Sequence, residues 1–280
     1  WAISVGFDVV AAGKGTKYMP EYRRGTPDDA LIRYGYSEEE AASGELNSQM
    51  YNSFLDGTKS AVEMCAVANM TGLVPDVPGM RFVPASVDEI PALLAPEVDG
   101  GVLSRRGIVE TVSSIREDGT DVPNSLRWGV FVVLTSQDPY LLRCLQEYGV
   151  PMDGSGTYGL MYRPYHLVGM ETPVSIAKAC LYGEPTGAPI AHIGEVVAAA
   201  RRRLNPGEIL DGEGGYTVYG ILVEAAQASA EGLIPIGFCH QARVARTVAT
   251  DKILEFSDVV LPEGGAALRM RRDQELGSVC

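Results

Sequence analysis

A lysine and a glutamate four residues apart, Lys59 and Glu63, stand inside the apolar stretch SFLDGTKSAVEMCAVANMTGL, residues 53–73. Residues four apart share one face of an α-helix, so the two charges are predicted to be neighbours. A structural salt bridge is one explanation. Desolvation offsets most of the attraction in a buried ion pair. A ligand-facing role therefore explains the two charges in this apolar stretch better than a salt bridge does. A partly desolvated lysine beside a carboxylate can donate a proton or bind a carbonyl oxygen.

Two further lysines, Lys14 and Lys17, follow a short apolar segment. Residues 6–13, GFDVVAAG, are typical of a buried strand, and the glycine-framed sequence GKGTKYMPEY begins at its end. Ligands of open α/β sheets bind beyond the carboxyl ends of the strands. Glycine lets backbone approach a ligand closely, and lysine suits phosphate. The segment therefore predicts an anion-binding loop, with solvated loop lysines as the alternative.

A third candidate group, Arg163 and His166, lies in YGLMYRPYHLVGMETP before a helix predicted to begin near Thr172 or Pro173. A histidine at a helix entrance can act as an acid, a base or a substrate ligand. A hydrogen-bonded structural histidine is the alternative.

The elements that position these residues follow from hydrophobic patterning. Ser53 and Asp56 resemble a capping box, and the helix they begin is apolar on nearly every side up to Gly72, which predicts a buried helix. Two strand patterns in residues 107–136 flank a turn at EDGTDVP, which predicts a hairpin. Residues 138–149 suit an amphipathic helix. The pattern as a whole predicts an α/β fold.

The last third of the sequence contains a repeat with a constant offset of 44 residues. AAARRRLNPGEILDGE, residues 198–213, matches ARVARTVATDKILEFS, residues 242–257. Leu204 aligns with Val248, and Asp211 with Glu255. Two related β units predict a small, mostly β module with pseudo-twofold symmetry.

Composition narrows the classes of partner. The net charge of −13 argues against nucleic-acid and anionic-membrane partners.

Five scattered cysteines without a C-x-x-C pair predict reduced, mostly buried thiols and no zinc site: Cys65, Cys144, Cys180, Cys239 and Cys280. The opening WAISVGFDVV lacks the pattern of a signal segment and resembles the end of a helix running into a strand. We therefore expect a cytoplasmic protein and a piece of a longer polypeptide.

Two resemblances arise from these phrases. The repeat resembles the SAF domain, a β-clip module, and Asp251 stands where that family usually has glycine. VVAAGKGTKYMPEY, NSFLDGTKSAVEMCAVANMTGL, YRPYHLVGME and GEPTGAP resemble the homoserine-dehydrogenase-like oxidoreductases with a C-terminal SAF domain. That group includes the DXR-like enzymes, which are second-type 1-deoxy-D-xylulose 5-phosphate reductoisomerases.

The resemblance implies a domain plan. Residues 1–190 would form the α/β substrate and dimerisation half of a Rossmann-type dehydrogenase, and residues 191–262 a SAF-like β domain. Residues 263–280 would form a charged tail. Family members place a nucleotide-binding Rossmann half upstream, so we expect the dinucleotide-binding loop to lie outside this chain. A homodimer or higher homo-oligomer is expected.

The resemblance also implies an activity, an NAD(P)H-dependent reductoisomerase or oxidoreductase of a small phosphorylated or acidic sugar. Ordinary homoserine dehydrogenases carry aspartate and lysine where Lys59 and Glu63 stand, so the exchanged signs argue against homoserine. Lys59 would bind the developing oxyanion, and Glu63 would hold Lys59 or relay a proton. Lys14 and Lys17 would bind phosphate or carboxylate. A divalent metal such as Mg²⁺ or Mn²⁺ would use three candidate ligands: Glu21, Glu63 and Glu171.

Two alternatives belong to other functional classes. A non-catalytic module that binds a sugar acid would need no nucleotide-binding half. A sugar-acid lyase or dehydratase would also fit, because SAF modules occur in such enzymes.

Overall fold

The computed structural model describes residues 1–262 and 265–275. The chain forms two compact units. The first contains Trp1–Met19 and Glu63–Gly194, and the second contains Pro20–Val62 and the residues from Glu195 onward. Residues 20–62 thus belong with the C-terminal part of the chain. The functional division predicted at residues 190 and 262 stays a prediction.

The elements of the described residues follow one another in this order: β1 (Asp8–Thr16), α1 (Pro27–Tyr34), α2 (Glu38–Ala42), α3 (Ser48–Leu55), α4 (Thr58–Thr71), β2 (Val74–Pro75), β3 (Val83–Pro84), α5 (Ile90–Leu93), β4 (Ile108–Ser113), β5 (Val130–Thr135), α6 (Pro139–Glu147), β6 (Gly159–Arg163), α7 (Thr172–Tyr182), β7 (Gly194–Ala200), β8 (Val218–Glu224), α8 (Ala225–Ala230), β9 (Arg243–Val244), β10 (Val259–Val260) and α9 (Ala266–Glu275). The predicted α/β class is confirmed.

The first unit is built on one mixed sheet. Its strand order is β2-β4-β1-β5-β6, and β3 pairs with β4 as well. Strand β1 pairs in parallel with β4 and antiparallel with β5. The predicted pairing of β4 with β5 is therefore wrong, because β1 lies between them. The turn itself is present as a small local hairpin, in which Ile115 bridges Asp121.

Strand β1 extends past its predicted end and includes the glycine-framed lysine. Lys14 pairs with Thr111 of β4 and with Val130 of β5. Gly13 and Gly15 permit close approach of the neighbouring backbone. A Cβ atom would lie 1.7 Å from the Glu110 carbonyl oxygen at Gly13 and 1.8 Å from that of Leu126 at Gly15. The glycines therefore serve strand packing, and the prediction of a loop at Lys14 is wrong.

The segment that carries Lys59 and Glu63 differs from the predicted helix in two ways. Gly57, with a φ of +88°, separates α3 from α4. Asp56 accepts a hydrogen bond from the Thr58 amide at 2.8 Å rather than forming a capping box with Ser53. Helix α4 is also not buried on every side, because Val62 and Met70 are 46% and 40% exposed. Its apolar residues therefore leave one face open.

The 44-residue repeat is confirmed as pseudo-twofold pairing in the second unit. Leu204 and Val248, which occupy equivalent positions, exchange backbone hydrogen bonds of 2.9 and 3.0 Å. The bridge Ala199–Ile253 has the bridge Ile209–Arg243 as its symmetry mate. Strands β7 and β8 pair beside these bridges. The likeness to a SAF domain stays a prediction.

The four cysteines that the structure describes are present as thiols. Cys239 is buried, Cys65 and Cys144 are half-buried, and Cys180 is exposed. Burial raises the pKa of the Cys239 thiol to about 12, with further contributions from Asp211 and Glu213. Cys280 and part of the charged tail lie outside the described residues. None of the helices in the described ranges combines the length and apolarity that a membrane span requires.

Candidate active site near the carboxyl end of strand β1

Glu63 forms an ion pair with Lys14, and both residues belong to the first unit. Strand β1 carries Lys14 and helix α4 carries Glu63, so the fold joins residues 49 positions apart. The Lys14 side chain is almost completely buried, at 9% exposure, whereas Glu63 retains 23%. Glu63 therefore meets the lysine of the glycine-framed segment. Lys59 lies one turn earlier on α4 and is half-buried.

His166 adds a third titratable group to this pair. Its Nε2 atom lies 3.9 Å from Oε1 of Glu63. Its Nδ1 atom lies 2.7 Å from the Trp128 carbonyl oxygen. A carbonyl oxygen only accepts, so Nδ1 carries the proton and donates it to that bond. In the neutral ring, Nε2 therefore presents its lone pair toward Glu63 and can accept a proton there.

The pairing of neighbouring strands places Arg163 on the same face of the sheet as Lys14. Val130 of β5 pairs with Lys14 on one side and with Arg163 of β6 on the other. Neighbouring strands lie about 4.8 Å apart, so the Cα atoms of Lys14 and Arg163 are about 10 Å apart. Arg163 also forms a 2.7 Å ion pair with Glu171, which lowers the pKa of that carboxyl group. The structure thus brings together four predicted residues: Lys14, Glu63, Arg163 and His166.

A second cationic group lies just beyond the end of β1. Burial lowers the pKa of Lys17, and the positive charge of Arg127 lowers it further, while Asp121 acts in the opposite direction. The guanidinium of Arg127 lies over the ring of Trp128, 4.6 Å from its centre. Two like charges held close together favour an anion between or beside them. Sequence reasoning missed Arg127, although SLRWG places it at the entrance to a predicted strand.

A shallow cavity of about 690 Å³ within the first unit is lined in part by Arg163 and by Gly13, the neighbour of Lys14. Its walls are mainly apolar and come from the open sheet face, from helix α4 and from the segment after α6. Val130, Val132 and Met161 contribute from the sheet, Met64 and Val67 contribute from α4, and Arg163 is its charged residue. A mainly apolar pocket with a few polar groups at its edge is the usual form of a small-molecule site.

Glu110 is a buried carboxylate that sequence reasoning also missed. Its oxygens accept hydrogen bonds from the amides of Thr111 at 2.8 Å and Arg81 at 3.0 Å. It lies under a segment in which two bulky residues have positive φ, 59° at Met80 and 52° at Phe82. Such strain costs of order 1–3 kcal/mol per residue and persists only where surrounding contacts impose it. Glu110 therefore anchors a strained segment that leads into β3, the strand paired with β4.

The pH dependence of stability should depend on Glu110. Burial raises its pKa to about 7, against 4.5 in an unfolded chain. The folded state then binds more protons than the unfolded state, so stability falls as pH rises from 4.5 toward 7. The full effect is about 3 kcal/mol. We expect Glu110→Gln to flatten this slope in urea unfolding between about pH 5 and pH 8, and Glu97→Gln, an exposed control, to retain it. An unchanged slope in Glu110→Gln would contradict this assignment.

The structure shows no metal-binding cluster at the ligands suggested by the resemblance, among the residues it describes. Within residues 1–262 and 265–275, no group of three or more histidine, cysteine, aspartate or glutamate side chains could hold a metal ion. Glu63 contacts Lys14, and Glu171 contacts Arg163. Glu21 is exposed and belongs to the second unit. The residues described here therefore do not fit a metal site.

A nicotinamide dinucleotide requires a glycine-rich turn between a strand and a helix. One segment has the letters of that motif, GSGTYG at residues 154–159. It leads into strand β6 instead of a helix. The Asp153 carboxylate already accepts the amides of Ser155, Thr157 and Tyr158 at 2.7–3.1 Å. This segment therefore does not fit a pyrophosphate.

Comparison with known families identifies the class of the protein. Residues 1–172 match the model of a catalytic domain of oxidoreductases. The matched segment contains the Lys14–Glu63–His166 cluster, so these residues lie in an oxidoreductase catalytic domain. The family is described as "Oxidoreductase DRL, catalytic domain", and the chain belongs to it. No curated protein matches the chain significantly.

Proposed function

We propose that the chain supplies the substrate-binding and proton-transfer groups of an NAD(P)H-dependent reductoisomerase acting on a small phosphorylated or acidic sugar. The observation that carries the proposal is the cluster of Lys14, Glu63 and His166, which joins a buried ammonium, a carboxylate and an oriented imidazole. Such a group can stabilise a developing oxyanion and move the protons of an α-ketol rearrangement.

Lys14 takes the role first assigned to Lys59. Its ammonium is nearly buried, and a charge in a partly desolvated site interacts more strongly with an oxyanion than an exposed charge does. Glu63 orients Lys14 through the ion pair. Lys59, one turn from Glu63 on the same helix, stays the alternative prediction for this role.

The remaining charges suit the anionic end of the substrate. Lys17 and Arg127 lie beyond the end of β1, and Arg163 lies in the same cross-strand row as Lys14. His166 would exchange a proton through Nε2, because the Trp128 carbonyl occupies Nδ1. The apolar cavity would receive the carbon chain of the sugar.

Homo-oligomer formation is proposed from the resemblance, which places a dimer-forming sheet in this half of the enzyme. Location in the cytoplasm is proposed in the same way.

The test is a substrate screen with the enzyme that contains this chain. NADPH or NADH oxidation would be followed with 1-deoxy-D-xylulose 5-phosphate, other phosphorylated ketoses and sugar acids. We expect turnover of a phosphorylated or acidic sugar, and we expect Glu63→Gln and His166→Asn each to lower kcat/KM by about 10²-fold or more. Lys178→Met, on the exposed helix α7, should retain activity.

Two results would point elsewhere. Sugar-acid turnover without a nicotinamide would identify the lyase or dehydratase. Binding of a sugar acid without turnover of any tested compound, with or without nicotinamide, would identify the non-catalytic module.

A further inference from the structure

A second cavity, of about 400 Å³, lies entirely within the second unit. It shares no residue with the Lys14–Glu63–His166 cluster, and it is lined by arginines and hydroxyl-bearing side chains: Arg24, Thr26, Arg201, Arg202, Tyr216 and Thr250. Three guanidinium groups around one cavity are unexpected in a chain with a net charge of −13.

Arg201 forms the buried wall of this cavity. It is 3% exposed, and its Nη atoms are fully engaged. Nη1 donates to the carbonyl oxygens of Arg23 at 2.9 Å and Gly25 at 2.7 Å, while Nη2 contacts Asp56 and the Val218 carbonyl oxygen. Its Nε atom is buried and has no hydrogen-bond partner. A buried donor without a partner is rare, because desolvation is costly, and it indicates a ligand or solvent acceptor.

Arg24 and Arg202 are held at the cavity by carboxylates. Arg24 forms a 2.9 Å ion pair with Asp251, and Arg202 forms a 2.7 Å ion pair with Glu208. Each guanidinium has five N–H donors. Arg24 uses one of them in its ion pair. Arg202 uses one in its ion pair and donates another to the Arg203 carbonyl oxygen. The side chains of Arg24 and Arg202 are 67% and 49% exposed, so donors remain for a ligand.

Thr26 adds the amino end of a helix to the cavity. It is the N-cap of α1, an eight-residue helix whose first-turn amides carry partial positive charge. The hydroxyl groups of Thr26, Tyr216 and Thr250 supply further hydrogen-bonding atoms. Tyr216 is oriented by donating to Asp28 at 2.7 Å. The cavity thus combines fixed positive charge with hydroxyl groups on several sides.

We propose that this cavity binds the phosphate group of a small phosphorylated metabolite, at a site separate in sequence from the catalytic cluster. Arginine matches phosphate through its planar donors, and a phosphate monoester offers acceptors in several directions at once. The volume of about 400 Å³ falls within the usual range of small-molecule pockets, so it also accommodates an organic part about the size of a sugar.

The test measures binding of inorganic phosphate and of ribose 5-phosphate by titration calorimetry at constant ionic strength. The double variant Arg24→Ala/Arg202→Ala should weaken binding of both probes by about tenfold or more. The control Arg203→Ala/Arg243→Ala also removes two positive charges, but from exposed positions outside the cavity. Its affinity for both probes should stay within about twofold of that of the unmodified chain. Ribose 5-phosphate should bind more tightly than inorganic phosphate.

A Lys17→Met variant separates this site from the anion-binding residues of the proposed reaction, and it should keep the binding that the Arg24/Arg202 variant loses. Arg202→Gln provides a milder variant if circular dichroism shows that the double variant is unfolded. Three results would overturn the proposal: no binding of either probe to the unmodified chain, equal weakening in the two double variants, or unchanged binding when Arg24 and Arg202 are replaced.

Discussion

The enzyme that contains this chain is expected to lose about 10²-fold or more of its kcat/KM when Lys14 is replaced by methionine. Methionine keeps much of the volume of the buried side chain and removes its charge. The developing oxyanion would then face an apolar group, and the Glu63 carboxylate would lose the partner that fixes it. Steady-state kinetics with the sugar identified in the screen would measure this loss.

Lys14→Met should also destabilise the first unit, which must be separated from the effect on catalysis. Removing one member of a buried ion pair costs about 3–5 kcal/mol, because the remaining charge is left without its counter-ion. The double variant Lys14→Met/Glu63→Gln removes both charges. It should regain most of the lost stability in urea unfolding without regaining activity. If the double variant regained activity as well, Lys14 would have only a structural role.

A comparably large effect on stability is expected in the second unit at Arg201. Its guanidinium pairs with the fully buried Asp56 and donates to three carbonyl oxygens, of Arg23, Gly25 and Val218. We expect Arg201→Met to lower the free energy of unfolding by about 3–5 kcal/mol, because Asp56 becomes a buried charge without its partner. Urea unfolding followed by circular dichroism would measure this change.

The neighbouring residue provides a matched control for that experiment. Arg202 pairs with Glu208 near the surface, with 49% of its side chain exposed. Arg202→Met should therefore cost no more than about 1 kcal/mol. An Arg201→Met variant as stable as Arg202→Met would show that the Asp56 carboxylate finds another donor or a proton when the guanidinium is removed.

Local chemistry explains which parts of the fold were predictable. The helix at Pro139–Glu147 begins at Asp138, whose carboxylate caps it, and is followed by Gly149. The helix at Thr172–Tyr182 has proline in its first turn and ends at Gly183. These boundaries depend on neighbouring residues alone. The placement of β1 between β4 and β5 depends instead on contacts between distant segments, which spacing along the chain does not encode.

The candidate site also contains residues that the sequence could indicate and residues that it could not. Lys14, Arg163 and His166 could be selected because their residue types suit anion binding and proton transfer. The partner of Glu63 could not be found from helical spacing, because that spacing points to Lys59 and the observed ion pair joins two elements. Glu110 gave no signal either, since a single glutamate in an apolar strand is informative only once its burial is known.

The repeat in the second unit makes its two copies mutually dependent. Leu204 and Val248 pair with each other, and the bonds of Leu210 to Ala242 and of Leu254 to Ala198 also run between the copies. The equivalent turn positions Gly207 and Asp251 both have positive φ, so the two copies share this backbone shape although their side chains differ. Neither half has a complete set of strand partners by itself. Each copy therefore needs the other to complete its backbone hydrogen bonds, so neither is expected to fold when it is separated from its mate.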